Sequence, residues 1–101
     1  MKECCKEYLM EQFGDEDVVN EIYAEYVKSI HEKLPELEEA LKAENWTVLD
    51  QVAHAVKGNA LATGDTDTAN VAIALRVAAK MSEKDTASSL IEKLKELAKG
   101  I

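Results

Sequence analysis

Apolar residues recur every three or four positions along almost the whole chain, which is the spacing of one face of an α-helix. Residues 3–13 form the first such segment, and Gly14 predicts its end because glycine closes helices easily. Asp15 is suited to cap the start of the next helix, since its carboxylate can accept from free backbone N–H groups. The apolar stripe of that long helix is Val19, Ile22, Tyr26, Ile30, Leu34, Leu37 and Leu41.

Pro35 lies inside this long stripe. A proline in a helix interior costs roughly 3 kcal/mol, yet the stripe keeps its register through this position. We therefore predict one continuous helix with a kink at the proline, and a break at Leu34 is the alternative.

The second half of the chain predicts three more helices. Asn45 is the capping residue of a third helix that begins at Trp46 and ends near Thr63, before Gly64. A fourth helix starts at Asp65 or Asp67. Its residues 69–81 are apolar almost all round, which predicts packing against neighbours on most sides.

A last helix follows Ser82, which with Asp85 three residues later resembles a capping box. Its apolar stripe is Leu90, Ile91, Leu94, Leu97, Ala98 and Ile101. Four main amphipathic helices with short connections predict an all-α fold, an antiparallel four-helix bundle with a short additional N-terminal helix.

Composition supports this fold class and bounds the number of domains. The chain has 101 residues, of which 47% are hydrophobic and 32% are charged, and this is the composition of one globular domain spanning residues 1–101. Four glycines and one proline supply little turn chemistry for a protein made of many strands.

Charge limits the class of partner. The formal net charge of −8 repels nucleic-acid phosphates and anionic lipid surfaces, so we expect a protein partner, with no nucleic acid and no membrane. The N-terminal stretch MKECCKEYLM has no apolar core of the secretory type, which predicts a cytoplasmic location.

Cysteines and histidines predict no metal site. Cys4 and Cys5 are adjacent, so they cannot join distant parts of the fold, and we interpret them as small, partly buried apolar side chains. His31 flanks the long stripe and is interpreted as a surface residue. No other residues have the spacing of a closed metal site, and we expect no cofactor.

His54 is the one residue whose surroundings predict chemistry. Successive helical residues advance by about 100°, so Leu49, Val52, Val56 and Thr63 share one side, and His54 points away from it. Lys57 and Gly58 lie on the outward strip one turn later, with Asp50, Gln51 and Leu61 above and below.

This arrangement suits phosphoryl chemistry. A neutral, exposed imidazole is a good nucleophile toward phosphorus, and Lys57 can neutralise the phosphoryl oxygens from one turn away. Gly58 costs roughly 1 kcal/mol of helix stability relative to alanine. The missing side chain would allow another protein's backbone to approach His54.

The pattern His-x-x-Lys-Gly, on a helix that follows a long amphipathic helix, resembles the signature of histidine phosphotransfer (HPt) domains. The segments GDEDVVNEIYAEYV and ENWTVLDQVAHAVKGNALATG are similar to the helix entry and the central segment of that family. The resemblance implies that His54 is phosphorylated, that Lys57 stabilises the phosphate, and that Gly58 gives access.

Two positions depart from the family's pattern. Asn59 replaces the usual Ser or Ala, a small polar change that should be tolerated on a partly exposed turn. Arg76 stands where several members carry a glutamine that hydrogen-bonds the imidazole, and an arginine cannot accept such a bond. Our hypothesis is that Arg76 donates to a phosphoryl oxygen instead, with room left by Ala69 and Ala72.

The resemblance implies a phosphorelay intermediate that receives a phosphoryl group from a receiver-domain aspartate and passes it to another receiver domain. The partners would be response-regulator receivers and a hybrid histidine kinase, docking on Leu61 and the alanines near His54. Mg²⁺ is expected on the receiver, and the chain itself is expected to be a monomeric phosphocarrier without kinase activity. The alternative is a non-catalytic adaptor bundle that uses the same face for protein binding.

Overall fold

Five α-helices and no strands make up the computed structural model, which describes residues 1–101. They are α1 (Glu3–Phe13), α2 (Glu16–Lys42), α3 (Trp46–Thr63), α4 (Thr66–Lys80) and α5 (Lys84–Lys99). The all-α prediction is confirmed, and so are the predicted ends of α1 and α3. None of the helices combines the length and the apolar character that crossing a membrane requires.

Helices α2 to α5 form a closed ring of neighbours. Helix α3 packs most extensively against α4 and also against α2, while α5 packs against α4 and α2. Helix α2 has 27 residues, so at 1.5 Å per residue it spans about 40 Å, close to the 42 Å length of the molecule. The other helices of the ring are shorter, and α1 packs on α2 and α3.

Pro35 does not divide the long helix. Helix α2 runs from Glu16 to Lys42 without interruption, which confirms a continuous helix and excludes the alternative break at Leu34. The residue four positions earlier, His31, loses a helical hydrogen-bond donor to its carbonyl. Both Pro35 and His31 are exposed, so water can satisfy that carbonyl.

The three connections between α2, α3, α4 and α5 share one backbone turn. In each, one residue adopts a left-handed conformation and the next residue donates its N–H to a carbonyl five positions earlier. That second residue is also the N-cap of the following helix. The left-handed residues are Glu44, Gly64 and Ser82, and the N-caps are Asn45, Asp65 and Glu83.

The predicted capping box at Ser82 is therefore wrong. Ser82 has φ +53° and ends α4, whereas Glu83 occupies the N-cap position of α5 without a side-chain capping hydrogen bond. Asp65 caps α4 with its carboxylate, which decides between the two predicted starts in favour of Asp65.

The core contains the predicted stripes together with residues that periodicity did not single out. Tyr23 and Ala87 are buried, and each predicted stripe residue of α2 and α5 is either buried or partly buried against the core. The expectation that α4 packs on most sides is wrong. Ile73, Val77 and Met81 form an apolar stripe that is 43%, 56% and 67% exposed.

A partly buried ion pair attaches α1 to the bundle. The Lys2 Nζ lies 2.6 Å from Oδ1 of Asp65, a fully buried carboxylate that also accepts from the Tyr26 hydroxyl at 2.7 Å. Thr68 donates to the same carboxylate at 2.8 Å. Gly64 lies against Tyr8, where an added Cβ would come within 2.5 Å of the tyrosine Cβ.

The two cysteines differ in their surroundings. Cys4 is exposed and Cys5 is fully buried, so the expectation that both are partly buried is wrong. Burial raises the pKa of the Cys5 thiol to about 12, and the neighbouring Cys4 and Asp65 add to the shift. Cys5 is therefore a neutral thiol packed in the core.

Candidate functional site

His54 lies on the outer face of α3, as predicted. The opposite face of this helix is fixed in the core by Leu49, Val56 and Ala60, which are almost completely buried. The side chain of Asn45 caps the N-terminus and Gly64 closes the C-terminus, so both ends of the helix are satisfied. The His54 side chain is exposed and takes part in none of the ion pairs or side-chain hydrogen bonds of the structure. An imidazole is thus presented to solvent on a rigid support.

Lys57 lies one helical turn after His54 and is half-buried. The ion pairs of the structure involve Lys2, Arg76, Lys95 and Lys99, so the ammonium of Lys57 has no carboxylate partner. Side chains on a helix lean toward its N-terminus, which directs Lys57 back toward His54. An unpaired cation is therefore available to an anion bound at the imidazole.

Gly58 faces open space. No atom lies within 4 Å of the position that a Cβ would occupy there, and the backbone has ordinary helical geometry. Nothing within the chain therefore requires glycine at this position, although glycine weakens a helix interior. The gap beside His54 remains available to a second molecule.

Arg76 does not approach the site as an unengaged cation. Its Nε donates to Oδ1 of Asp50 at 2.8 Å, across the contact between α4 and α3. This hydrogen bond lowers the pKa of the Asp50 carboxyl below its ordinary value, so Asp50 is an anion. Ala69 and Ala72 are fully buried between helices, so the room that we expected them to leave is occupied. Sequence reasoning placed Asp50 on the outward strip but did not identify it as the partner of Arg76.

Asn59 also has a role that the sequence did not reveal. Its side-chain amide donates to the Ser29 hydroxyl at 2.8 Å, which joins α3 to α2 one turn beyond the imidazole. The residue is half-buried, as expected of a partly exposed turn, and it also forms a contact between helices. The pairing links positions 30 residues apart, a separation at which helical periodicity gives no signal.

Exposed apolar side chains occur on both α3 and α4. Leu61 is exposed on α3, as expected. Of the alanines near His54, Ala62 is exposed and Ala55 is half-buried, whereas Ala53 and Ala60 are buried and cannot meet a partner. Helix α4 runs antiparallel to α3 with Arg76 opposite Asp50, so Ile73 lies about level with His54. The exposed stripe of Ile73, Val77 and Met81 therefore begins beside the site.

The surface at the site is not concave. Five depressions occur on the molecule, and none is lined by His54, Lys57 or Gly58. Small-molecule substrates normally occupy clefts, whereas an exposed helix face suits a macromolecular partner. No three His, Cys, Asp or Glu side chains come together in the arrangement of a metal site.

Comparison with known proteins gives one match. The family model described as the Hpt domain matches residues 21–101, which include α3 and every candidate site residue. The match leaves out α1 and the first five residues of α2. No curated protein and no solved structure matches the chain.

Proposed function

Because the chain belongs to the Hpt domain family, we propose that it is a phosphorelay intermediate in two-component signalling. It accepts a phosphoryl group on His54 from the aspartate of a receiver domain and passes it to the aspartate of another receiver. The observation that carries the proposal is an exposed imidazole, without an internal partner, beside the open space at Gly58.

The transfer is a displacement at phosphorus. The unprotonated ring nitrogen of His54 donates its lone pair to phosphorus while the P–O bond of the aspartyl phosphate breaks. The aspartate leaves as a carboxylate, and the other ring nitrogen carries the positive charge until its proton is released. In the second transfer, the aspartate of another receiver attacks phosphorus and the P–N bond to His54 breaks. The phosphoryl group thereby passes to that aspartate.

The neighbours of His54 would support this reaction in different ways. Lys57 neutralises charge on the phosphoryl oxygens, because it is an unpaired cation one turn away. Gly58 allows the receiver's backbone to approach closely. Leu61 and Ile73 are exposed apolar side chains on which the receiver would dock.

We propose a carrier without kinase activity of its own. The sequence contains no glycine-rich phosphate-binding loop, so the receiver or a hybrid histidine kinase must supply the activated phosphoryl group. The receiver is also expected to bring Mg²⁺. We propose that residues 1–101 act as one module, since the pair of Lys2 and Asp65 attaches α1 to the matched region, and that this module is a monomer. A cytoplasmic location stays a prediction.

Transfer from a labelled receiver tests the proposal. A receiver domain phosphorylated with radiolabelled acetyl phosphate should label the wild-type chain, and the label should be lost in acid and retained in base, as for a phosphohistidine. His54→Gln should abolish labelling, whereas His31→Gln should retain it because His31 is followed by Leu34 and Pro35 at the positions that Lys57 and Gly58 occupy after His54. Equal labelling of the His54→Gln variant would contradict the proposal, and an unlabelled wild type would favour the adaptor alternative.

A further inference from the structure

Asp50 lies on the same outward strip of α3 as His54, one turn earlier. Four residues of helix separate their Cα atoms by about 6 Å, and the His54 side chain leans toward the N-terminus, in the direction of Asp50. A carboxylate at this distance repels a phosphoryl group that carries nearly two negative charges. An uncompensated Asp50 would therefore oppose phosphorylation of the histidine.

The structure compensates this charge from another helix. Arg76 on α4 donates its Nε–H to Asp50 at 2.8 Å, and both side chains are about a quarter exposed. Lys80, one turn after Arg76, adds a further favourable charge toward Asp50. The pair is thus net neutral beside a reaction centre that must receive an anion.

The ion pair of Arg76 and Asp50 contributes little to the stability of the contact between α3 and α4. Ion pairs at partly exposed positions contribute little to stability, because water competes for both charges. Helices α3 and α4 already share the most extensive contact in the bundle, built on fully buried residues such as Ala53 and Ala72. The role of the pair therefore follows from its position next to His54 and not from its contribution to stability.

We infer that Arg76 is a positioning residue that neutralises the charge of Asp50. An anionic phosphoryl donor can then reach His54, and the phosphohistidine that forms is not destabilised by a neighbouring negative charge. This inference rests on the proposed function of His54. It differs from the hypothesis that Arg76 donates directly to a phosphoryl oxygen, because here the arginine acts through Asp50. The Nε of Arg76 is engaged by Asp50 one turn away from the imidazole.

A double-mutant cycle separates these two roles. The proteins are wild type, Arg76→Ala, Asp50→Asn and the double variant, each treated with phosphoramidate, a small anionic donor that needs no cognate receiver. In this reaction the P–N bond of phosphoramidate breaks, ammonia leaves, and a new P–N bond forms to the His54 ring. The rate of phosphohistidine formation and its subsequent lifetime are measured for each protein.

Neutralisation predicts a specific pattern of rates. Arg76→Ala should slow phosphorylation by about tenfold, because it exposes the Asp50 charge. The double variant should return to within about twofold of wild type, because it removes both charges. Asp50→Asn should react at least as fast as wild type, and Arg76→Lys should recover part of the rate because it keeps the cation.

Two controls keep the readout specific. Asp67→Asn removes one negative charge from the first turn of α4, nine residues from Arg76, and should leave the rate unchanged. Urea unfolding of each variant shows whether a slow rate comes from lost structure. If the role of the pair were purely structural, Arg76→Ala and Asp50→Asn would slow the reaction equally.

Other outcomes would overturn the inference. If Arg76→Ala and the double variant are equally slow, Arg76 contacts the phosphoryl group itself. If neither differs from wild type, the pair has no part in the reaction. Failure of the proposed function looks different, because the wild-type protein would then remain unmodified, or His54→Gln would react as readily as wild type.

Discussion

At position 58 the chain carries glycine although no atom lies within 4 Å of where a Cβ would stand. An alanine there would improve helix propensity without a clash, so Gly58→Ala should raise the free energy of unfolding by about 1 kcal/mol. Urea denaturation followed by circular dichroism measures this change. No gain in stability would mean that the glycine already satisfies a structural requirement of the chain.

A larger side chain at the same position separates access from reactivity. Gly58→Leu should slow transfer from a phosphorylated receiver by at least tenfold, since the side chain occupies the space that the partner needs. Phosphoramidate is small and should still label His54 in this variant at close to the wild-type rate. Equal slowing with both donors would show that the substitution disturbs the imidazole and not the approach of the receiver.

Asp65 is the residue whose loss should cost most stability outside the apolar core. It is fully buried and accepts hydrogen bonds from Lys2, Tyr26 and Thr68. Asp65→Asn would leave Lys2 without its anion, and we expect the free energy of unfolding to fall by about 2–3 kcal/mol. Asp67→Asn, an exposed change two residues later, should alter it by no more than about 0.5 kcal/mol. Similar losses for both variants would contradict the assignment of this network.

The same carboxylate predicts sensitivity to acid. Burial alone would raise the pKa of Asp65, but hydrogen bonds from Lys2, Tyr26 and Thr68 outweigh burial and lower it. A group with a lowered pKa in the folded state stabilises the fold fully above its unfolded pKa of about 3.9. Its contribution is lost as the pH falls through the lower folded value. The stability difference between wild type and Asp65→Asn should therefore narrow below about pH 4, and a constant difference would contradict this account.

At the scale of the helices, the recurring turn explains why one boundary was mispredicted. Ser82 and Asp85 have the residue types and spacing of a capping box, but the chain uses Ser82 as the left-handed residue that ends α4. Gly64 predicts the equivalent turn after α3, because glycine adopts a positive φ more easily than other residues. Glu44 and Ser82 give no such signal, since their conformation is imposed by the packing of the helices that they connect.

This interpretation predicts that glycine is the better residue in that turn. Ser82 has φ +53°, a region that costs an ordinary residue about 1 kcal/mol, so Ser82→Gly should stabilise the fold by about 0.5 kcal/mol. The matched control is Ser89→Gly in the exposed interior of α5, which should destabilise it by a similar amount. Chemical denaturation measures whether each substitution raises or lowers the free energy of unfolding. A destabilising Ser82→Gly would refute the assigned turn.

At the scale of the whole molecule, periodicity predicted the helices, because each must bury one stripe of side chains in a common core. The outward direction of His54 followed from the same geometry. Periodicity could not predict which side chains pair between distant parts of the chain. These pairs are Arg76 with Asp50, Asn59 with Ser29 and Lys2 with Asp65. These depend on which faces meet after the bundle closes, and a single sequence records only positions along each helix.

The exposed stripe of α4 illustrates the same limit. An alanine-rich, apolar segment predicts burial, but α4 contacts only α3 and α5, and its remaining face stays open. The number of neighbours is a property of the bundle, in which α2 and α4 lie diagonally apart. Ile73, Val77 and Met81 therefore remain on the surface, with Ile73 at the end of the stripe that is level with His54.

The most direct test of the central claim is to observe the new bond on the His54 ring. With ¹⁵N placed only in the imidazoles, nuclear magnetic resonance resolves two histidines, His54 and His31. Adding a phosphorylated receiver should shift one ring nitrogen of His54 strongly and introduce a coupling to phosphorus, while the resonances of His31 stay in place. Phosphoryl transfer that leaves the His54 nitrogens unchanged would contradict the account.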